Sequence, residues 1–182
     1  MIGLLVIRFS GTYAADLDQR FTNFIYLSVF LLTFIIPVIL MFLLYFTHLT
    51  KSLQFSERRE RLFPLFITFF FYLATYLMIR KLPVSQIYQR FIFSACLSVF
   101  LVLSISYFWK ISAHLVGWGG MVGLIIVLSF RFNSDLMIFL IIAIIASGFT
   151  AFARLKLGEH QPWQVYSGFI IGFLTITTVF TI

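Results

Sequence analysis

The chain has 182 residues, 62% apolar and 20% aromatic, with only 10% charged and a mean hydropathy of +1.06. A soluble domain carries about a quarter of its residues as charge, so this composition excludes one; at roughly 20 apolar residues per crossing, the length accommodates about six membrane spans. The formal charge of +7 is an excess that membrane proteins keep in loops facing headgroups or phosphate-bearing ligands, and it argues against nucleic acid as a partner.

In chain order, residues 1–21 come first. Met1 to Ile7 is apolar but too short to cross a bilayer, and Asp16, Asp18 and Arg20 follow. The expectation is an interfacial or poorly ordered lead-in. Six apolar runs then predict spans near 22–47, 62–79, 90–109, 114–130, 135–152 and 162–182. The first is too long for a signal-peptide core and has no small-residue cleavage site behind it, so it reads as retained. Pro37 is expected to bend it. No window alternates polar with apolar residues, which disfavours a membrane barrel and predicts an all-α, polytopic helix bundle. The single cysteine, Cys96, falls inside the third span, which excludes an internal disulfide and a cysteine-built metal site.

Each span moves the chain across the bilayer, so alternate connections share a face. One face collects His48, Lys51, Arg58, Arg59 and Arg61, then Lys110, Ser112 and His114, then Arg154, Lys156, Glu159 and His160. All three histidines lie there. The other face holds Arg8, Arg20, Arg80, Lys81, Arg90 and Arg131. The two totals of Lys and Arg are nearly equal, so the positive-inside rule assigns no orientation. Short loops keep their residues near helix ends. Three of them converging beside an apolar bundle form the kind of site that an amphiphile with an anionic head requires.

Two segments carry the chemistry. Lys110-Ile111-Ser112-Ala113-His114 leads into the fourth span and sets His114 at a helix N-terminus, where backbone N–H groups favour a phosphate. The second, Ala153-Arg154 through Glu159-His160-Gln161-Pro162-Trp163-Gln164, precedes the sixth span, with Pro162 suited to open it. Cations to neutralise a phosphoryl group, one histidine to attack and another to protonate the leaving oxygen would suffice for ester cleavage.

These residues resemble the second and third motifs of the type 2 phosphatidic acid phosphatase superfamily, which read Pro-Ser-Gly-His and Ser-Arg-x5-His-x3-Asp. Here they are matched by Ser112-x-His114 and by Arg154-x5-His160, over the last two fifths of the chain. The resemblance implies a membrane lipid phosphatase working without a cofactor or metal on a lipid phosphomonoester or polyprenyl diphosphate. It makes His160 the nucleophile that forms a phosphohistidine, His114 the acid, and Arg154 and Ser112 phosphate ligands. The family's aspartate is Gln164 in this chain, and Glu159 is the alternative residue for its place. Ala153, Ile111 and Ala113 also depart from the pattern. The first family motif, Lys-x6-Arg-Pro, is partly met by Lys51-x6-Arg58, with Arg59 where the family has proline and Arg61 three residues ahead of Pro64. Arg58, Arg61, Lys51 and Lys110 complete the expected phosphate-binding set.

Plainer readings stand beside these. The segment from Glu57 to Arg61 is equally a solvated helix start with an i,i+4 ion pair among lipid headgroups. Gly117-Trp118-Gly119-Gly120 lacks the Gly-Lys-Ser/Thr ending of a phosphate loop. Gly119-xxx-Gly123 and Gly168-xxx-Gly172 instead predict close packing of the fourth span on the sixth, which would bring His114 to His160. Trp109, Trp163, Tyr107 and Tyr166 suit an interfacial belt, and Arg80, Lys81 and Arg90 headgroup anchoring. The rival to an enzyme is a catalytically impaired relative that binds anionic lipid as a scaffold or partner subunit. A transporter is disfavoured by spans almost free of charge and without an inverted repeat, and a magnesium-dependent prenyl transferase by the lack of clustered aspartates. The expected partners are a lipid phosphate and membrane lipids, with a homo-oligomer left open, and the expected location is the cytoplasmic membrane of a bacterium.

Overall fold

The computed structural model describes residues 2–10, 19–46 and 58–182. A short helix, α1 (Ile2–Phe9), precedes the spans. The first span is one rod built of α2 (Gln19–Phe30), a π-helical turn over Leu31–Ile35 and α3 (Ile36–Phe46). Then follow α4 (Arg58–Arg80), α5 (Gln86–Phe108), α6 (Ala113–Phe132), α7 (Met137–Lys156) and α8 (Pro162–Thr181). Among the described residues six helices are long and apolar enough to cross a membrane. The protein is an all-helical, polytopic integral membrane protein.

Local chemistry sets the ends. Ser85 caps α5 by accepting from the Ile87 N–H at 3.5 Å, and Asn133, in the left-handed region at φ 51°, closes α6. Several helices outrun the apolar runs that announced them. α5 starts at Gln86 and α7 continues to Lys156, because backbone hydrogen bonding persists into the interface while Arg and Lys side chains reach out to water. Arg154 therefore belongs to the last turn of α7 rather than to a loop. The π-turn sits immediately before Pro37, whose missing N–H leaves the helix ladder one bond short.

Residues 2–10 depart from the interfacial or poorly ordered lead-in expected for residues 1–21, because α1 is a helix packed into the bundle. Leu4, Val6 and Ile7 of α1 are buried in the main core. Polar groups pin the helix there: the Tyr26 hydroxyl donates to the Leu4 carbonyl at 3.3 Å and meets the Tyr88 hydroxyl at 3.3 Å, and Ser134 donates to the Ser10 carbonyl. Eight residues rise only about 12 Å, too little to cross, so α1 enters the bundle from the face opposite the histidines without traversing it.

The centre of the bundle is the pairing of α6 with α8. Half of the apolar window of α6 is buried but only 11% of that of α7, which lies at the periphery. A Cβ on Gly119 would land on the Phe169 carbonyl, and one on Gly172 on the Val116 carbonyl. The two backbones thus touch along the predicted glycine seam. On the face away from the histidines, Arg90 donates to the Val179 and Phe180 carbonyls at 3.4 Å each, and Arg131 also donates to Phe180. Arg90 is therefore spent on the C-terminal carbonyls of α8, where a cation complements the helix dipole, rather than extended as a headgroup anchor.

Candidate functional site

The start of α6 is fixed against the start of α8. The Ser112 N–H donates to the Gln164 carbonyl at 3.2 Å, while the Ser112 carbonyl accepts from Leu115 and Val116 at 3.1 Å each. Gly168 makes this approach feasible, since a Cβ there would lie 2.7 Å from the Ser112 oxygen. The first turn of α6 then presents His114 at the surface of the bundle end.

The end of α7 is folded back onto the same place. Gly158, at φ +67°, supplies the left-handed residue that stops the helix. The chain beyond it reverses, and the Glu159 and His160 N–H groups donate to the Arg154 carbonyl at 3.2 and 3.4 Å. One backbone oxygen thereby holds the predicted phosphate ligand and the predicted nucleophile together.

The side chains close the circuit. Arg154 Nη2 lies 3.0 Å from His114 Nε2. A guanidinium only donates, so Nε2 accepts and the His114 ring carries its proton on Nδ1. His160 Nδ1 lies 3.1 Å from Gln164 Oε1, and the Gln161 N–H donates to that same oxygen at 3.1 Å. The backbone donor fixes which end of the amide faces it, so His160 Nδ1 must donate to the oxygen as well. The lone pair of the neutral His160 ring then resides on Nε2. The capping interaction of Gln164 is reciprocal, since the Gln161 side chain accepts from the Gln164 backbone. Buried Gln164 therefore orients a histidine and starts α8 with one amide.

Lys110 and Glu159 form an ion pair at 3.6 Å, both side chains partly exposed. It joins the α5–α6 and α7–α8 connections across the rim; being exposed, it adds little stability. Glu159 is thus turned to Lys110, and Gln164, not Glu159, contacts the His160 ring. The Ser112 hydroxyl is fully buried, and among the described residues it and Ser106 hold the only buried side-chain polar atoms with no hydrogen-bond partner. An orphaned hydroxyl of this kind costs about 1–3 kcal/mol.

His114, Arg154, His160, Gln164, Ser112 and Lys110 therefore form one linked group, and the predicted seam between α6 and α8 is what aligns them. α4 begins at the same end, its Leu65 packing against the buried Ile111, Val116 and Val102. The side chains of Arg58 and Arg61, in the first turn of that helix, lie outside the described residues, as do Lys51 and His48. Trp109, Tyr107, Trp163 and Tyr166 are all exposed around this end, as an aromatic belt requires. Among the described residues no three His, Cys, Asp or Glu side chains gather as metal ligands would.

Sequence reading missed two features. One is the hydrogen bond from Trp118 Nε1 to Thr150 Oγ1 at 2.9 Å, which ties α7 to α6; nothing in the sequence pairs those positions. The other is a cavity of about 520 Å³ that opens beneath His114 between α4, α5 and α6. Its signal was present in the small residues Ala95, Ala113 and Gly117, which leave room inside helices otherwise rich in large side chains. No family model, curated protein or solved structure matches the chain.

Proposed function

We propose that this protein is a membrane-embedded lipid phosphatase, a divergent relative of the type 2 phosphatidic acid phosphatase superfamily, acting on a lipid phosphomonoester or diphosphate. The observation that carries this reading is the pair of bonds on Gln164 Oε1, which hold the proton of His160 on Nδ1 and the lone pair on Nε2. A histidine nucleophile needs that tautomer, and a neutral amide supplies it by orientation alone. An anion entering the site draws the Arg154 guanidinium to its oxygens in a charge-assisted, bidentate contact, which releases His114 Nε2 to carry a proton. His160 Nε2 attacks phosphorus as the phosphorus–oxygen bond to the lipid breaks, and His114 protonates the departing oxygen. Water, deprotonated by His114, then displaces His160 and yields inorganic phosphate.

The test is phosphate release by purified protein in detergent from phosphatidic acid, phosphatidylglycerophosphate and undecaprenyl diphosphate, with His160→Ala alongside. Release that disappears in the variant is the expected result; equal release from both, or none from either, overturns it.

A second reading, an anionic-lipid-binding scaffold or partner subunit without turnover, draws on the neutral Gln164 and on the neutralisation of Lys110 by Glu159. Lipid-phosphate binding that survives His160→Ala, with no turnover in either protein, would favour it.

A further inference from the structure

The cavity beneath His114 reaches further into the bundle than a headgroup needs. Along α5 it is lined from Val102, near the histidine end, to Phe91. The eleven steps between them span about 16 Å at 1.5 Å each, close to the roughly 15 Å depth of one leaflet of a 30 Å hydrocarbon core. α8 contributes a single lining residue, Ile176, twelve positions beyond Gln164, or about 18 Å along the helix. The volume falls in the range of ordinary small-ligand cavities.

The wall suits hydrocarbon. Three of its lining residues bear hydroxyls: Thr68 and Ser98 donate to the carbonyls of Pro64 and Ser94 on their own helices, each at 2.8 Å, and the Tyr72 hydroxyl is hydrogen-bonded with Thr33, so each has a partner within the protein. A Cβ on Gly117 would meet nothing within 4 Å, and Ala95 and Ala113 widen the same space. The end of the cavity is α1: Ile2 and Gly3 line it together with Phe91. The Phe91 ring fills the place where a Cβ on Gly3 would go, with Leu124 Cδ2 3.3 Å from it. Tyr26, Tyr88 and Ser134 hold this short helix in position.

We infer that α1 is a floor that measures the substrate. The cavity receives one hydrocarbon tail of about a leaflet's length, descending from a phosphate held at Arg154 and His114, and Phe91 and α1 stop its end. The substrate class this selects is a lipid phosphate with an acyl-length tail; a long polyprenyl chain overruns the floor. The inference rests on the phosphate-site reading for the head and on the cavity for the tail. A tail gains little merely by leaving lipid for a cavity as apolar as lipid, so selection acts through collision at the floor. Overpacking of about 1 kcal/mol or more corresponds to a fivefold or greater penalty on tails that are too long.

The test uses protein in lipid nanodiscs and a series of straight-chain alkyl phosphates carrying a terminal diazirine, with crosslinked residues mapped by mass spectrometry. Label is expected to move with tail length from Val99 and Met121 to Phe91, Gly3 and Ile2. Tails longer still should label α1 at least fivefold less, and Phe91→Ala should admit them. Labelling scattered over the lipid-facing Ile141 and Ile142 of α7 without regard to length overturns the inference. So does the same ordered pattern from diazirine alkyl alcohols, which carry no phosphate to set the register. Ordered labelling by the phosphates without phosphate release would instead remove the catalytic reading and leave the measuring floor standing.

Discussion

α8 and α7 have the same length and similarly apolar spans, yet they are held in opposite ways. α8 lies against α6 with glycines facing carbonyls at Gly168 and Gly172, and nothing there can move without opening the seam. α7 carries Gly148, where an added Cβ would meet nothing within 4 Å, and most of its large side chains are exposed to the surroundings of the bundle. Its described polar ties to the rest are few: Trp118 to Thr150 in mid-span, and Arg154 to His114 at the end. The site is assembled across this difference. His114, Ser112 and Gln164 stand on the rigid pair, whereas Arg154 arrives on the loosely held helix. In the proposed reaction Arg154 is also the group that must change partner, from His114 to the phosphate. The glycines thus fix the helix whose Gln164 orients the His160 ring, while Arg154 rides on the helix they leave unconstrained.

The sharpest way to break the comparison is to fill the seam. Gly172→Leu puts a side chain where the Val116 carbonyl and the Gly120 N–H already lie, so α6 and α8 must separate. We expect loss of a monodisperse, folded protein, or at least a destabilisation beyond the about 1–3 kcal/mol usual for overpacking, read as a fall in thermal midpoint in detergent. If Gly172→Leu keeps its midpoint and activity, the two helices are not in backbone contact and the account of the site falls with them.

Next comes the amide on the rigid side. Gln164→Ala removes both the partner of His160 and the acceptor for the Gln161 N–H. Turnover in the phosphate-release assay should drop by about two to four orders of magnitude, up to the loss seen when the orienting carboxylate of a hydrolytic triad is replaced, with about 1 kcal/mol of stability lost at the helix start. Gln164→Glu keeps the reach and the capping geometry and adds a negative charge at a helix N-terminus, worth about 0.3–1 kcal/mol. It should turn over faster than the natural protein. A slower Gln164→Glu would show that neutrality is required at this position, and the resemblance to a charged family site would lose its meaning.

These two residues also show how far the sequence could be read. The apolar runs exposed six spans because length and hydropathy decide membrane insertion almost without regard to partners, and Gly168-xxx-Gly172 declared the seam because only glycine permits such an approach. Parity alone brought His114, Arg154 and His160 to one face. What stayed hidden depends on which atom meets which. Glu159 and Gln164 were both plausible partners for His160 by sequence distance, and what separates them is the contact of His160 with Gln164 and the turning of Glu159 to Lys110. The burial of α1 was invisible because a short, mostly apolar segment looks alike whether it lies on a membrane surface or packs among Phe91, Ile92 and Leu124 of α5 and α6.

A smaller effect is expected from loosening the peripheral helix. Trp118→Phe deletes the bond to Thr150 and leaves the ring volume nearly intact. Buried hydrogen bonds between membrane helices average about 0.6 kcal/mol, so the thermal midpoint should shift little. Arg154 sits one turn beyond Thr150 on the same helix, and its placement should suffer more than the fold. The expected signature is a several-fold rise in KM for the lipid phosphate with kcat nearly unchanged, since the anion ligand and not the histidine pair is displaced. A fall in kcat at constant KM would show that α7 governs the nucleophile.

The smallest effect belongs to Gly148→Ala, the counterpart of Gly172 on the other helix. An added methyl there meets no neighbour, and alanine in a helix interior is favoured over glycine by about 1 kcal/mol in water. Relief of backbone freedom and the absence of any clash act in the same direction, so the variant should be neutral or slightly more stable, with phosphate release unaltered. Placed beside Gly172→Leu, it asks whether glycines matter by position or by kind. If Gly148→Ala lowers the midpoint, then the exposed side of α7 is in contact with something in the folded membrane protein, and a second copy of the chain, the homo-oligomer left open by the sequence, becomes the first candidate to test by crosslinking at Ile145 and Phe149.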